Sequence, residues 1–143
     1  MKKILWVASI IIVLINCSAP ENQMELSGKV KGLKKGTLLL QKIEDSMLIT
    51  LDSLLINGND TFNFSEVIES PEIYYLQVKI NNGILQDDRI AFFAEAKPMT
   101  INTTLKNFAV KAKITGSENQ NKLNEYYKIL DRYNFQNLEL IEK

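Results

Sequence analysis

From Met24 onward the chain alternates apolar and polar side chains in short runs, each closed by turn-forming residues. Successive side chains on a strand point to opposite faces, so a period of two commits a segment to one face in a core and the other in water. Met24 to Val30 is the first such run, ended by the Gly32 to Gly36 turn with Lys34 and Lys35 inside it. Thr37 to Ile43 and Met47 to Ile56 flank Glu44-Asp45-Ser46, and Asn57-Gly58 is a strong hairpin signal because both residues tolerate positive φ. Thr61 to Phe64 places Phe62 and Phe64 on one face, and Ile73 to Ile80 does the same for Tyr74, Leu76, Val78 and Ile80, with a turn at Asn82-Gly83. Ile90 to Glu95 is apolar on both faces, which predicts a central strand, and Met99 to Leu105 alternates strictly. Phe108, Val110, Ala112 and Ile114 alternate with Ala109, Lys111 and Lys113, predicting a last strand. Strands of this number and spacing imply a mainly β fold, a seven- to eight-stranded antiparallel β-sandwich or a partly closed barrel.

At Gly116-Ser117 the period changes. Ser117 and Gln120 read as a capping box, the hydroxyl taking the Gln120 N–H and the Gln120 side chain reaching back. Leu123, Tyr127, Leu130, Leu138 and Ile141 then recur at helical spacing, predicting a C-terminal amphipathic helix from about Glu118 onward. Leu123, Tyr127 and Leu130 are expected to pack on the sandwich. Phe135, Leu138 and Ile141 have less sandwich to cover, so the part after Tyr133 is expected to fray or to dock on a partner.

Ahead of the strands, Lys2 and Lys3 precede an almost unbroken apolar run from Ile4 to Ile15, too short to span a bilayer and suited to a secretion signal. Leu14-Ile15-Asn16-Cys17 resembles a lipobox, with Leu14 and Cys17 fitting and Ile15 and Asn16 larger than the usual small residues. Cys17 is the only cysteine of the chain, so it has no partner for a disulfide within it. The expected organisation is a lipoprotein signal peptide at 1–16, a lipidated linker at 17–23, a β-sandwich at 24–116 and a helix at 117–143. An uncleaved signal anchor is the other reading of the same segment. Acylation at Cys17 would leave the protein anchored to a membrane without spanning it, and two or three chains would make that anchor stable. Ser18 to Gln23 reaches about 20 Å at full extension, which keeps the domain near its membrane. Loss of residues 1–16 removes two lysines and no acid, taking the formal charge from zero to −2. That balance offers no basic footprint for nucleic acid.

The inventory for chemistry is short. The chain has no histidine, the commonest general base and metal ligand. With Cys17 given to lipid there is no Cys-x-x-Cys for redox work or zinc, and no Ser-x-x-Lys or Gly-x-Ser-x-Gly pattern occurs. No catalytic residue, cofactor site or metal site is therefore expected, and the chain is read as a non-enzyme. Asn57-Gly58-Asn59-Asp60, with Asp52, supplies oxygens of the kind calcium accepts but lacks the spacing of an EF-hand, so turn chemistry is the simpler reading. Gln86-Asp87-Asp88-Arg89 reads as a solvated loop. Tyr74-Tyr75 and Tyr126-Tyr127 could line a peptide or glycan groove, although one tyrosine of each pair is expected to face the core.

Several of these stretches together resemble a known family. Leu26-Ser27-Gly28-Lys29-Val30, Asp52-Ser53 ahead of a Gly58 turn and Phe62-x-Phe64, Pro71-Glu72-Ile73-Tyr74-Tyr75-Leu76, Phe92-Phe93-Ala94-Glu95, and Thr115-Gly116-Ser117-Glu118 with Asn121, Leu123 and Tyr126 follow one another in the family's order. From Met24 to Tyr127 the chain is similar to domain-of-unknown-function family 4369. The resemblance implies a β-sandwich of bacterial envelope lipoproteins, one that often precedes a thioredoxin-like domain of the TlpA or AhpC/TSA kind. Two departures stand out: Asn59 and Asp60 lengthen the usual glycine-x-phenylalanine exit, and no thioredoxin-like domain follows. A partner domain lost, or never present, is the corresponding expectation for the long helix.

These readings imply an envelope lipoprotein facing the periplasm or cell surface, whose sandwich binds a thioredoxin-like or other envelope protein or, alternatively, a peptide or glycan. Cys17→Ser should abolish incorporation of labelled palmitate and leave the precursor unprocessed or released; label uptake and membrane fractionation unchanged from the parent would overturn the lipid assignment.

Overall fold

The computed structural model describes residues 22–80 and 88–141, with side chains described as far as Leu138. Cys17 with the whole signal, most of the linker, Asn82-Gly83, Gln86-Asp87 and the Ile141 side chain lie outside the described residues.

Eight strands form two four-stranded sheets. They are β1 (Gln23–Lys31), β2 (Lys35–Glu44), β3 (Met47–Asn57), β4 (Thr61–Val67), β5 (Glu72–Ile80), β6 (Ile90–Ala94), β7 (Pro98–Thr104) and β8 (Lys113–Thr115), and helix α1 spans Glu118–Ile141. One sheet runs β4-β1-β7-β8 and the other β3-β2-β5-β6. Every pairing is antiparallel except β1 with β7, where Leu26 lies beside Met99 and Gly28 beside Ile101 in parallel.

The apolar face of each strand turns inward, and the buried side chains of both sheets form one core. Leu26, Phe64 and Ile101 from the first sheet meet Leu40, Leu76 and Phe92 from the second. Phe62 and Phe64 stand inside while Thr61 and Asn63 are exposed, and Tyr74, Leu76 and Val78 are buried with Ile80 at the margin, as the alternation predicts. Gly28 is required by the closeness of β1 to β7: a Cβ there would lie 1.9 Å from the Ile101 carbonyl oxygen and 2.8 Å from the Phe62 ring. No larger residue fits without separating the strands.

Four sequence expectations are corrected. Asn57-Gly58 is no hairpin, because β3 and β4 belong to different sheets. Gly58 does take a positive φ of 92°, but it turns the chain across the sandwich, its N–H bonding the Lys34 carbonyl. Local turn chemistry was legible there; the sheet receiving the next strand depends on distant partners.

The expected last strand from Phe108 is also different. Leu105–Asn107 is a 3-10 helix, and Lys111 and Ala112 donate back to the Asn107 and Ala109 carbonyls. Only Lys113–Thr115 is strand. Phe108 is buried, whereas Val110, two residues on, is 87% exposed, so the two do not share a face. A period of two across a helical turn mimicked a strand.

β6 is an edge strand rather than a central one. Helix α1 reaches its open edge, Gln120 Oε1 accepting from the Phe93 N–H at 3.1 Å, while on its outer face Phe93 is half-buried and Ala91 exposed. That bond occupies an amide of the exposed edge, a protection that edges need.

Lastly, α1 leaves the sandwich sooner than its apolar spacing predicts. It contacts β6 and β8, one strand from each sheet, through its first turns. Leu123 is half-buried, but Tyr127 is 53% and Leu130 36% exposed. Tyr126 and Tyr127 are therefore both outside, their rings tilted at 51° to one another with centroids 5.9 Å apart, instead of one facing the core.

Gly28→Ala should destabilise the domain by about 2–3 kcal/mol or prevent folding, since overpacking against backbone cannot be relieved by a side-chain rotation. Leu130→Ala, by contrast, should cost under about 1 kcal/mol, the range of exposed positions. Denaturant titration of the two variants checks both, and a loss above 2 kcal/mol at Leu130 would place that residue in a core.

Candidate functional site

Burying a carboxylate is costly unless charge and hydrogen bonds replace the lost water. Glu95, only 5% exposed, follows directly on β6 and receives four such partners. Its Oε1 accepts from Ser117 Oγ at 2.5 Å, the Asn119 N–H at 2.9 Å and Asn119 Nδ2 at 3.1 Å. Its Oε2 pairs with Lys97 Nζ at 2.7 Å, and the same ammonium reaches Glu118 at 3.3 Å. Burial alone would raise the Glu95 pKa, but Lys97, Ser117 and the Asn119 and Glu118 amides outweigh it and hold the carboxyl at about 2.

Glu95 thus binds the helix N-terminus, where unpaired amides and the macrodipole favour a negative charge. Ser117 is the N-cap, its Oγ accepting from the Gln120 N–H at 2.9 Å. The expected return bond of a capping box is absent: the Gln120 side chain accepts from Phe93 and donates to Asn124 at 3.0 Å. Gly116 has φ of 95°, and a Cβ on it would lie 2.3 Å from the Pro98 carbonyl, so the approach to the cap also requires glycine. These contacts tie Glu95 to the helix cap and to the start of β7.

The far end of the first sheet carries a different surface. Lys29 and Lys31 of β1, Asn102 and Thr104 of β7, and Lys111 and Lys113 of the following turn and strand border an open groove of about 500 Å³. No acid lines it. Val110 and Ala112 give it an apolar side. Lys29 is held at 3.3 Å by Asp60, leaving three lysines without a described ion pair. Paired Lys-x-Lys stretches at 29–31 and 111–113 are the sequence signal for it, although only the fold brings them together.

A second concave surface lies at the opposite end, among Lys42, Glu44, Val67, Glu69, Glu72 and Tyr74. Lys42 bridges Glu44 at 3.4 Å and Glu72 at 3.8 Å. Burial first, then the neighbouring Glu72, Glu66 and Glu44, push the Tyr74 phenol up to about 12, so it stays protonated at neutral pH and cannot serve as a base. Glu66 is raised by burial and by Asp52, against the pull of Lys42.

The other sequence candidates are dispersed. Asn59 Oδ1 accepts from the Thr61 N–H and hydroxyl at 3.2 and 3.0 Å, and Asp60 is paired with Lys29. Asp52 stands mid-strand in β3 accepting from the Ser53 amide at 2.6 Å, so these oxygens do turn and strand chemistry and form no common cage. Asp88 is not merely solvated: it accepts from the Ala109 N–H at 3.0 Å and fastens the 3-10 turn over the core. Arg89 is exposed, Tyr74 is buried and Tyr75 half-buried, as one-in-one-out alternation requires. Among the described residues no group of three or more histidine, cysteine or acidic side chains is placed to hold a metal ion.

A family model described as "Domain of unknown function (DUF4369)" matches residues 24–123, from the first strand to the first turns of α1. No curated protein and no solved structure matches the chain.

Because an unfolded glutamate titrates near 4.5 and folded Glu95 near 2, its bonds contribute fully above pH about 4.5 and are lost as pH falls toward 2. The difference corresponds to about 3 kcal/mol at 1.36 kcal/mol per unit. Acid titration followed by hydrogen exchange at 118–124 should show the helix base loosening across that window. Glu95→Gln should remove most of the pH dependence and lower stability at neutral pH, and an unchanged acid profile in that variant would contradict the assignment.

Proposed function

This chain belongs to the DUF4369 family, and from that membership we propose that it is a lipid-anchored protein of the bacterial cell envelope whose sandwich is a non-catalytic interaction domain. The observation that carries the reading is the lysine-lined groove beside β1, β7 and β8. It lies at the end of the sandwich away from Gln23, where β1 begins, so a tether at Cys17 would leave it pointing away from the membrane and open to soluble envelope partners. Its charge suits an acidic protein surface, and electrostatic complementarity of this kind steers encounter and sets specificity. A thioredoxin-like protein of the envelope is the partner class that the family resemblance implies.

The non-catalytic reading is supported by how the ionisable groups are used. Glu95 is consumed by the helix cap, and Tyr74 is held protonated. Lys42 is shared between two glutamates. None of these is poised to transfer a proton or attack a substrate.

A peptide or glycan ligand is the second reading. Its support is the groove volume, about 500 Å³, within the range of small-ligand sites, together with its mixed apolar and cationic lining.

Crosslinking with mass spectrometry in the native envelope should capture a protein through Lys31 or Lys111, and Lys31→Glu with Lys111→Glu should abolish that crosslink while leaving the melting temperature unchanged. Saturable binding of a peptide or glycan to the parent, lost in the same double variant and with no protein captured, would favour the second reading instead.

A further inference from the structure

The exposed apolar side chains of this domain are unevenly placed. β1 begins at Gln23, opposite Val67 at the end of β4, and its Glu25 lies beside Pro98 at the start of β7. Thr115, at the end of β8, pairs with Thr100, and Glu72, at the start of β5, pairs with Ala94, at the end of β6. The chain's arrival, the base of α1 and the β2–β3 hairpin are therefore all at one end of the sandwich, the proximal end. That hairpin extends past the last β2–β5 pair, Lys42 with Tyr74, through a turn with positive φ at Asp45 and Ser46.

Ile43, Met47 and Leu48 on the projecting hairpin and Val67 beside it are exposed, Met47 to 66%. Along α1, Tyr126, Tyr127, Ile129, Leu130, Tyr133, Phe135 and Leu138 are exposed too. At 100° per residue all of these helix positions except Phe135 fall within one half of the circumference, opposite Glu125, Lys128 and Arg132, and Phe135 lies at the border beside Lys128. Among the described residues only Leu55 and Val110 are large exposed hydrophobics away from the proximal end and the helix. Water leaves so large a one-sided apolar surface uncovered only at a cost, and such patches mark interaction sites.

We propose that the proximal end, through the tip of the β2–β3 hairpin and the apolar face of α1, rests on the surface of the lipid bilayer. The proposal builds on the lipid anchor at Cys17. From that residue the chain to Asn22 spans at most about 20 Å, so the proximal end cannot leave the bilayer's neighbourhood, and lipid is the apolar phase always within reach. Three tyrosines on the helix suit the boundary between headgroups and acyl chains, where amphipathic rings concentrate. The same end carries Glu44, Glu69 and Glu72 around one Lys42, an acid excess that favours zwitterionic headgroups over anionic ones. The domain would then lie on its anchor end with the lysine groove uppermost.

The lipidated full chain, with Cys17 blocked as a thioether, offers one free thiol when a cysteine is introduced elsewhere. Met47→Cys and Leu130→Cys, with Leu55→Cys and Lys128→Cys as controls, would each carry a nitroxide in phosphatidylcholine vesicles. The ratio of oxygen to nickel-chelate accessibility should be at least about threefold higher at 47 and 130 than at 55 and 128, and the contrast should shrink when half the lipid is phosphatidylglycerol. Equal aqueous exposure at all four sites, in protein that still floats with the vesicles, would overturn the lipid-facing surface and leave the anchor standing. Dipolar broadening between labels at 130 with full nickel access would assign that face to a second copy and overturn it as well. A reactive Cys17 thiol and failure to float would remove the anchor itself, and this proposal with it.

Discussion

One carboxylate joins the three parts of this domain. Glu95 follows β6 of one sheet, its Lys97 partner precedes β7 of the other, and Ser117 and Asn119 open the helix. Hydrophobic contact between the sheets is non-directional and would tolerate many ways of closing their ends. A buried charge is less forgiving, because removing any one donor leaves it undercompensated. The helix therefore has a defined starting point even though its residues from 124 to 138 are exposed.

The fold was legible where a local pattern and the tertiary environment agreed. Phe62, Phe64, Tyr74, Leu76 and Val78 were placed correctly because each strand has one wet and one dry face. The pattern failed where it had two physical origins. Phe108 to Ile114 alternates as a strand does, yet the backbone turns helically and Asp88 fixes it from a distance. β6 reads as central because both faces are apolar, yet its outer edge pairs with no strand and is met by the helix instead. The parallel β1–β7 pairing has no local signature at all. The tightness of Gly28 against Ile101 is its consequence and shows only in three dimensions.

Much the same division applies to the candidate surfaces. Ser117 was legible as a cap because capping is a matter of a few adjacent residues. Glu95 was visible only as part of a motif, since its role depends on a segment more than twenty residues later. The lysine groove needed β1, β7 and β8 to be assembled before its two Lys-x-Lys pairs became one surface. Tyr127 and Leu130 were misjudged because apolar spacing identifies an amphipathic face without saying what covers it.

The position of β1 bears on how such a chain reaches its folded state. As the first strand of the sandwich it lies at the centre of its sheet, with β4 on one side and β7 on the other. A chain delivered from its N-terminus offers β2 and β3 a neighbouring partner at once, because they form a simple hairpin. β1 must wait for Thr61 to Val67, and then for Pro98 to Thr104, before both of its edges are occupied. During that interval an apolar strand with two open edges is available to any other unfinished chain, the circumstance in which slow, non-local β pairing invites aggregation. With the proposed lipid anchor, the waiting strand would spend that interval at a membrane surface with the rest of its own chain close by.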